Sequence, residues 1–279
     1  MQTRPGLLDL IGPDFDREDG EPGKRTLLIC AAPRSGSYEL CRLLIAAGVG
    51  VPHEYFNPNY ANRIAARFKL AGDPLSDSQL GGYIEALRRR RSANNIFAAK
   101  FNYQQFETHL RNRHGAALFE GAVVIHLFRP DAAAQYESLR AALATGRWDF
   151  TDNQTTPPIP LNPEKRTAQV LREAEIMAFE DGAFRVLFIA LGIRPIFITS
   201  DTLFASPAAA VREIAEKLEV KINDAGLQRM IASGRRYGAA GRKGGVLDDP
   251  ALRAALRRQV FGETNLQPAS RPGGYISLD

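Results

Sequence analysis

The chain has 279 residues and a mass of 30.7 kDa, so one large domain is the starting expectation. A net charge of +5 and a pI near 9.3 suit an anionic ligand, but the basic residues are spread along the chain, which argues against nucleic acid as a partner. No positively flanked apolar segment opens the chain and no stretch approaches about 18 continuous apolar residues, so a cytoplasmic protein without a transmembrane segment is expected. Cys30 and Cys41, the only cysteines, lack metal or redox spacing and read as buried small hydrophobes.

Residues 1–24 are rich in Gly and Pro and read as an irregular leader ahead of a single domain over 25–279. The apolar run Thr26–Ala32 predicts the first strand. The helix after it puts Leu40, Leu43, Leu44 and Ala47 on one face, with Gly48 as its stop. Residues 60–95 have a helical pattern, and the basic run Arg88–Arg91 within them reads as a solvated face. A second strand is predicted over Ile96–Ala99, ending at Lys100, and a third over Ala122–Phe128, ending at Arg129. The third is nearly continuous in apolar residues, as buried parallel strands are. Asp131 is the N-cap of the next helix. The loop 150–163 carries Pro157, Pro158, Pro160 and Pro163, and a long helix follows from about Glu164 to Leu191. A fourth strand over Pro195–Thr199 leads to a helix opened by Ser206-Pro207. Strands alternating with helices predict an α/β fold with a central, mostly parallel sheet flanked by helices.

The turn Pro33-Arg34-Ser35-Gly36-Ser37-Tyr38-Glu39 lies between the first strand and the first helix of that domain. Its glycine allows close backbone approach, the helix start offers free N–H groups, Arg34 adds a fixed charge, and Ser35 and Ser37 add hydroxyls. These features fit a phosphate. The string Gly-x-x-x-x-Gly-Lys-Ser/Thr of nucleoside-triphosphate loops does not occur. Glu54, in Val51-Pro52-His53-Glu54-Tyr55-Phe56-Asn57-Pro58, is a carboxylate among aromatics. Either burial raises its pKa and makes it a general base, or it faces solvent while Tyr55 and Phe56 enter the core. Lys100 and Arg129 both fall where strands end, the edge at which open α/β sheets bind ligands. Arg129 either grips a phosphate there or pairs with Asp131 or Glu137. The segment Gly241-Arg242-Lys243-Gly244-Gly245 either wraps an anion or is a solvated loop.

These pieces, in this order, resemble the bacterial trehalose 2-sulfotransferase family. The likeness is carried by Pro-Arg-Ser-Gly-Ser, by Pro-x-Glu-Tyr-Phe, by Phe97–Gln104 with Lys100 at a strand end, and by Arg129-Pro130-Asp131 with Ser138 nine residues on, in Ser138-Leu139-Arg140-Ala141. The resemblance implies the P-loop-like three-layer sulfotransferase fold and the cofactor 3′-phosphoadenosine 5′-phosphosulfate (PAPS), with no metal required. It assigns Arg34, Ser35, Gly36 and Ser37 to the 5′-phosphosulfate, and Tyr38, which stands where the family has a small hydroxyl residue, is expected to cover the cofactor there. Arg129 and Ser138 go to the 3′-phosphate and Glu54 is the base; Lys100, at its strand end, is expected to act in catalysis by stabilising the leaving charge. Arg242, Lys243 and Gly244 resemble a segment that closes over the 3′-phosphate in the wider superfamily. The acceptor implied is a hydroxyl of a sugar or glycolipid, and the assembly a homodimer. Two alternatives stand beside this reading: a P-loop-type kinase, and a degenerate sulfotransferase-like protein that binds a nucleotide without turnover.

Overall fold

The computed structural model of the chain describes residues 5–17, 20–148, 159–234 and 245–261. Its centre is a sheet of four parallel strands in the order β2-β1-β3-β4, where β1 is Arg25–Ala31, β2 Ile96–Phe101, β3 Val123–Phe128 and β4 Ile196–Thr199. Within β1 the side chains alternate between the two faces, and both faces are covered. Leu27, Ile29 and Ala31 join Ala98, Ile125 and Leu127 in one core cluster. Leu28 and Cys30 join Phe97, Ala99, Phe101 and Val124 in the other. This double burial is why the strands are read as continuous apolar runs.

The helices, in chain order, are α1 (Leu7–Leu10), α2 (Ser37–Ala46), α3 (Pro58–Arg67), α4 (Asp77–Arg90), α5 (Tyr103–Gln105), α6 (Arg113–Phe119), α7 (Ala132–Thr145), α8 (Arg166–Leu191), α9 (Ser200–Ala205), α10 (Pro207–Lys217), α11 (Asp224–Ser233) and α12 (Pro250–Phe261). Leu40, Leu43 and Leu44 of α2 pack with Val211 and Ile214 of α10 and Leu227 of α11 on one face of the sheet. Leu80 and Leu87 of α4, Leu118 of α6 and Phe184 and Phe188 of α8 cover the other. The result is the expected three-layer α/β sandwich.

The expected elements appear with small shifts. Gly48 follows the end of α2 with φ 75° and stops it as predicted. The stretch 60–95 is two helices rather than one pattern, because Gly72 (φ 75°) and Pro74 break it and Asp73 turns the chain by accepting from Leu75 N–H. The leader is not irregular throughout: α1 and a 3-10 turn at Pro13–Phe15 lie in it.

The largest correction concerns the basic run. Of Arg88–Arg91 only Arg89 lies on a solvated face, where it pairs with Glu85. Arg88 lies over the Phe97 ring and Arg90 over the Phe68 ring, and Arg91 is fully buried. Arg91 donates to Asp16 Oδ1 (2.9 Å), to the carbonyl oxygens of Gly12 (3.1 Å) and Leu10, and to Tyr55 Oη (3.1 Å). Asp16 also binds Arg67, so leader, α3 and α4 share one buried network. Removing one member of such a network strands the others without partners. Arg91→Met is expected to lower unfolding free energy by roughly 3 kcal/mol or more in urea titration, and a loss below about 1 kcal/mol would contradict this role.

Candidate functional site

In the order β2-β1-β3-β4 the chain leaves β1 toward β2 and leaves β3 toward β4, so the strand order reverses between β1 and β3. Ligands of open α/β sheets bind beyond the carboxyl ends of strands at such a reversal. The turn 32–37 follows β1 and Arg129 follows β3, so both lie at this point.

The turn after β1 has an unusual backbone. Gly36 is the N-cap of α2 with φ 93°, and a Cβ there would approach the Phe204 ring to 3.1 Å, so only glycine fits without strain. Arg34 is also left-handed, with φ 67°, a conformation that costs a non-glycine residue free energy and gathers at functional sites. The first bonds of α2 run from the Glu39 and Leu40 N–H groups to the Gly36 carbonyl, so the N–H groups of Ser37 and Tyr38 precede the ladder. Ser35 is fully buried, and its hydroxyl has no hydrogen-bond partner among the described residues. An unmade bond on a buried hydroxyl is costly unless a ligand completes it.

Helix α7 braces this turn. Gln135 Nε2 donates to the Pro33 carbonyl (2.8 Å), and Arg34 Nε donates to Ser138 Oγ (3.0 Å). Arg34 and Ser138, assigned by the resemblance to opposite ends of the cofactor, therefore touch. Arg129 is half-buried, and among the described residues it has no hydrogen bond or ion pair. The alternative in which it pairs with Asp131 or Glu137 is not realised. Asp131 caps α7 by accepting from Ala134 N–H (2.9 Å), and Glu137 accepts from the N–H groups of Val246 (2.9 Å) and Leu247. That bond ties the chain after residue 245 to the helix carrying Ser138. Arg242, Lys243 and Gly244 lie outside the described residues.

Glu54 and Lys100 come from different elements and meet. The Lys100 N–H donates to the His53 carbonyl (2.9 Å), which lays the loop after α2 along the end of β2. Lys100 Nζ then donates to Glu54 Oε1, while Asn57 Nδ2 and Gln105 Nε2 each donate to Oε2 at 3.0 Å. Neither member is solvated: the side chains are 4% (Lys100) and 12% (Glu54) exposed. Tyr55 and Phe56 are buried core, so both halves of the earlier alternative are partly realised. The raised pKa of the first alternative is not. Burial alone would raise the Glu54 carboxyl, but the Lys100 ammonium and the three hydrogen bonds bring it down to about 2. Tyr38 faces this pair: the Lys100 ammonium lies 4.9 Å from its ring centroid. Burial, then the charge of Glu54, push its phenol well above the ordinary value, so it stays neutral.

Four contributors escaped sequence reasoning: Gln105, Asn57, Gln135 and Glu180. Asn57 was within a motif but had an ordinary reading before Pro58. Glu180 of α8 did leave a signal, because it falls at helical spacing between the buried Met177 and Phe184, a carboxylate on an apolar face. Among the described residues no three or more His, Cys, Asp or Glu side chains gather as metal ligands. None of the described helices is long and apolar enough to cross a membrane.

This arrangement is a glycine-capped turn braced by α7, next to a buried carboxylate–ammonium pair at the sheet's carboxyl edge. The profile of the Stf0 sulphotransferase family matches residues 26–233, well over half the chain, and takes in every one of these groups. The chain belongs to the Stf0 sulphotransferase family. Among solved structures, the sulfotransferase domain of the olefin synthase of Synechococcus PCC 7002 is similar at 16% identity and a TM-score of 0.40, over 90% of this chain and 92% of that one. No curated protein matches the chain. The match reaches beyond the stretch of about residues 25–148 that carried the sequence resemblance, and what it shows is membership of the Stf0 sulphotransferase family.

Proposed function

We propose that this sulfotransferase uses PAPS and moves its sulfuryl group to a hydroxyl of a carbohydrate or glycoconjugate. The observation that carries the reading is the buried Glu54–Lys100 pair set beside the turn 34–37. The residues present fit the cofactor. The orphaned Ser35 hydroxyl, the glycine-only approach at Gly36 and the cation of Arg34 suit the 5′-phosphosulfate. Arg129, which pairs with no described residue, suits the 3′-phosphate together with Ser138.

When bound, the cofactor would supply the sulfuryl group together with a bisphosphate leaving group. The rest is work for this chain. Glu54 takes the proton from the acceptor hydroxyl. In the resting site it is a weak base, because Lys100 holds its carboxyl at about 2. Lys100 therefore has two jobs: it keeps Glu54 ionised and in place, and it moves toward incoming negative charge, which raises the basicity of Glu54 as it departs. Arg34 and the N–H groups at the start of α2 hold the leaving charge, the electrostatic logic that governs phosphoryl transfer. The homodimer belongs to the same proposal, and the exposed apolar side chains Phe179, Val186 and Ile189 of α8 offer a surface for it.

The experiment is transfer of label from ³⁵S-PAPS to a panel of sugars, with Arg129→Ala alongside wild type. The variant should bind adenosine 3′,5′-bisphosphate at least about tenfold more weakly, the loss of roughly one charge-assisted contact, while its affinity for 5′-AMP changes little. Equal losses for the two ligands would remove Arg129 from the 3′-phosphate.

A further inference from the structure

The catalytic scheme leaves one group of the site unused. Glu180 projects from α8 and is 5% exposed. The backbone N–H groups of Tyr103 and Gln104, just past the end of β2, act on its carboxylate, and Oε2 is buried with no hydrogen-bond partner among the described residues. Lys100 and Glu54 both act on it electrostatically, so three ionisable groups from three elements converge: Glu54 from the loop after α2, Lys100 from β2 and Glu180 from α8. Burial raises the Glu180 carboxyl to about 7, with Glu54 adding to the rise and Lys100 and the two N–H groups opposing it. One ammonium thus faces two carboxylates, and its hydrogen bond goes to Glu54 alone.

Local structure does not require this arrangement. A carboxylate on the buried face of α8 costs desolvation, and an apolar residue would pack there without leaving an acceptor unfilled. When Lys100 moves toward the leaving charge, both carboxylates lose their shared cation together. Two O–H donors on neighbouring carbons can take its place, one to each carboxylate.

Building on the sulfuryl-transfer reading, we propose that Glu180 binds a second acceptor hydroxyl, adjacent to the one that Glu54 deprotonates, so the acceptor class is a vicinal diol such as a sugar ring presents. Glu180 then fixes which hydroxyl meets Glu54, since the ring is held at two points.

The test compares size-matched acceptors, trans-1,2-cyclohexanediol and cyclohexanol, with ³⁵S-PAPS as donor. Wild type should favour the diol at least about tenfold in kcat/KM, the size of one well-made hydrogen bond. Glu180→Met should bring that preference to about one. Glu180→Gln, which keeps a hydrogen-bonding group in the same shape but no charge, should lower it about threefold or more. Both variants should bind adenosine 3′,5′-bisphosphate within about twofold of wild type, and a structural role would not spare that affinity. If Glu180→Met does not fold, the Gln variant decides. An unchanged preference in the variants, loss of bisphosphate binding along with it, or no preference in wild type would overturn the assignment of Glu180. Wild type that fails to bind the bisphosphate at all would instead overturn the sulfuryl-transfer reading, and this inference with it.

Discussion

Glu54→Gln should lower kcat by about 10³-fold, within the range of general-base losses, and leave affinity for adenosine 3′,5′-bisphosphate unchanged or tighter. The second half of this expectation is the diagnostic one. Lys100 is bonded to Glu54 in the resting site, and a glutamine has no charge to hold it there. The freed ammonium can then serve bound phosphate in the ground state as well as during reaction. A purely structural Glu54 would behave differently, because its loss would loosen the loop 51–57 and weaken cofactor binding in step with turnover. Pre-steady-state measurement of sulfuryl transfer, paired with calorimetric titration of the bisphosphate, separates the two. Near-full activity in Glu54→Gln would remove it as the base.

Lys100→Met should be the more damaging change to the fold. It leaves Glu54 buried with only Asn57 and Gln105 as partners, and the second carboxylate, Glu180, close by. Breaking a buried pair from one side costs roughly 3–5 kcal/mol, whereas removing both charges is far milder. The double variant Lys100→Met/Glu54→Gln should therefore be more stable than Lys100→Met alone, a coupling that a double-mutant cycle in urea measures directly. The pH dependence follows from the sign of the Glu54 shift. Its carboxyl is depressed in the folded protein, to about 2, so the pair contributes stability above the ordinary carboxylate range and loses it as pH falls toward 2. Without Lys100, burial dominates and the folded carboxyl sits above its unfolded value. The deficit of the variant against wild type should thus be largest near neutral pH and should shrink as pH drops through the carboxylate range. A deficit independent of pH would mean that Lys100 stabilises by packing alone.

The strands were legible because both faces of the sheet are buried, which leaves nearly unbroken apolar runs such as Val123–Phe128 in the sequence. The turn at Arg34–Ser37 was legible for a related reason: its chemistry is local, held in consecutive residues. The pairing of Glu54 with Lys100 was not local. The two lie 46 positions apart and are joined by a backbone bond from Lys100 to His53 that no pattern announces. Family resemblance named both residues, yet it did not foresee that the lysine would depress the carboxyl it was expected to work beside. Arg91 misled for the opposite reason. Four consecutive arginines suggest solvent, but the acceptors that bury Arg91 are carbonyls and an aspartate from residues 10–16, in a segment with no apolar periodicity to mark it as part of the core. Glu180 was masked by the apolar pattern of its helix, although a carboxylate between Met177 and Phe184 is an anomaly on that face.

Titration of wild type with adenosine 3′,5′-bisphosphate, 5′-AMP and ATP, in buffer containing a chelator and then with added magnesium, addresses the two-phosphate site most directly. Binding of the bisphosphate in chelator, at least about tenfold tighter than 5′-AMP, is the result expected if Arg129 and Ser138 hold a 3′-phosphate while the turn 34–37 holds the 5′ end. Preference for ATP that appears only with magnesium would contradict it and return the site to nucleoside-triphosphate chemistry.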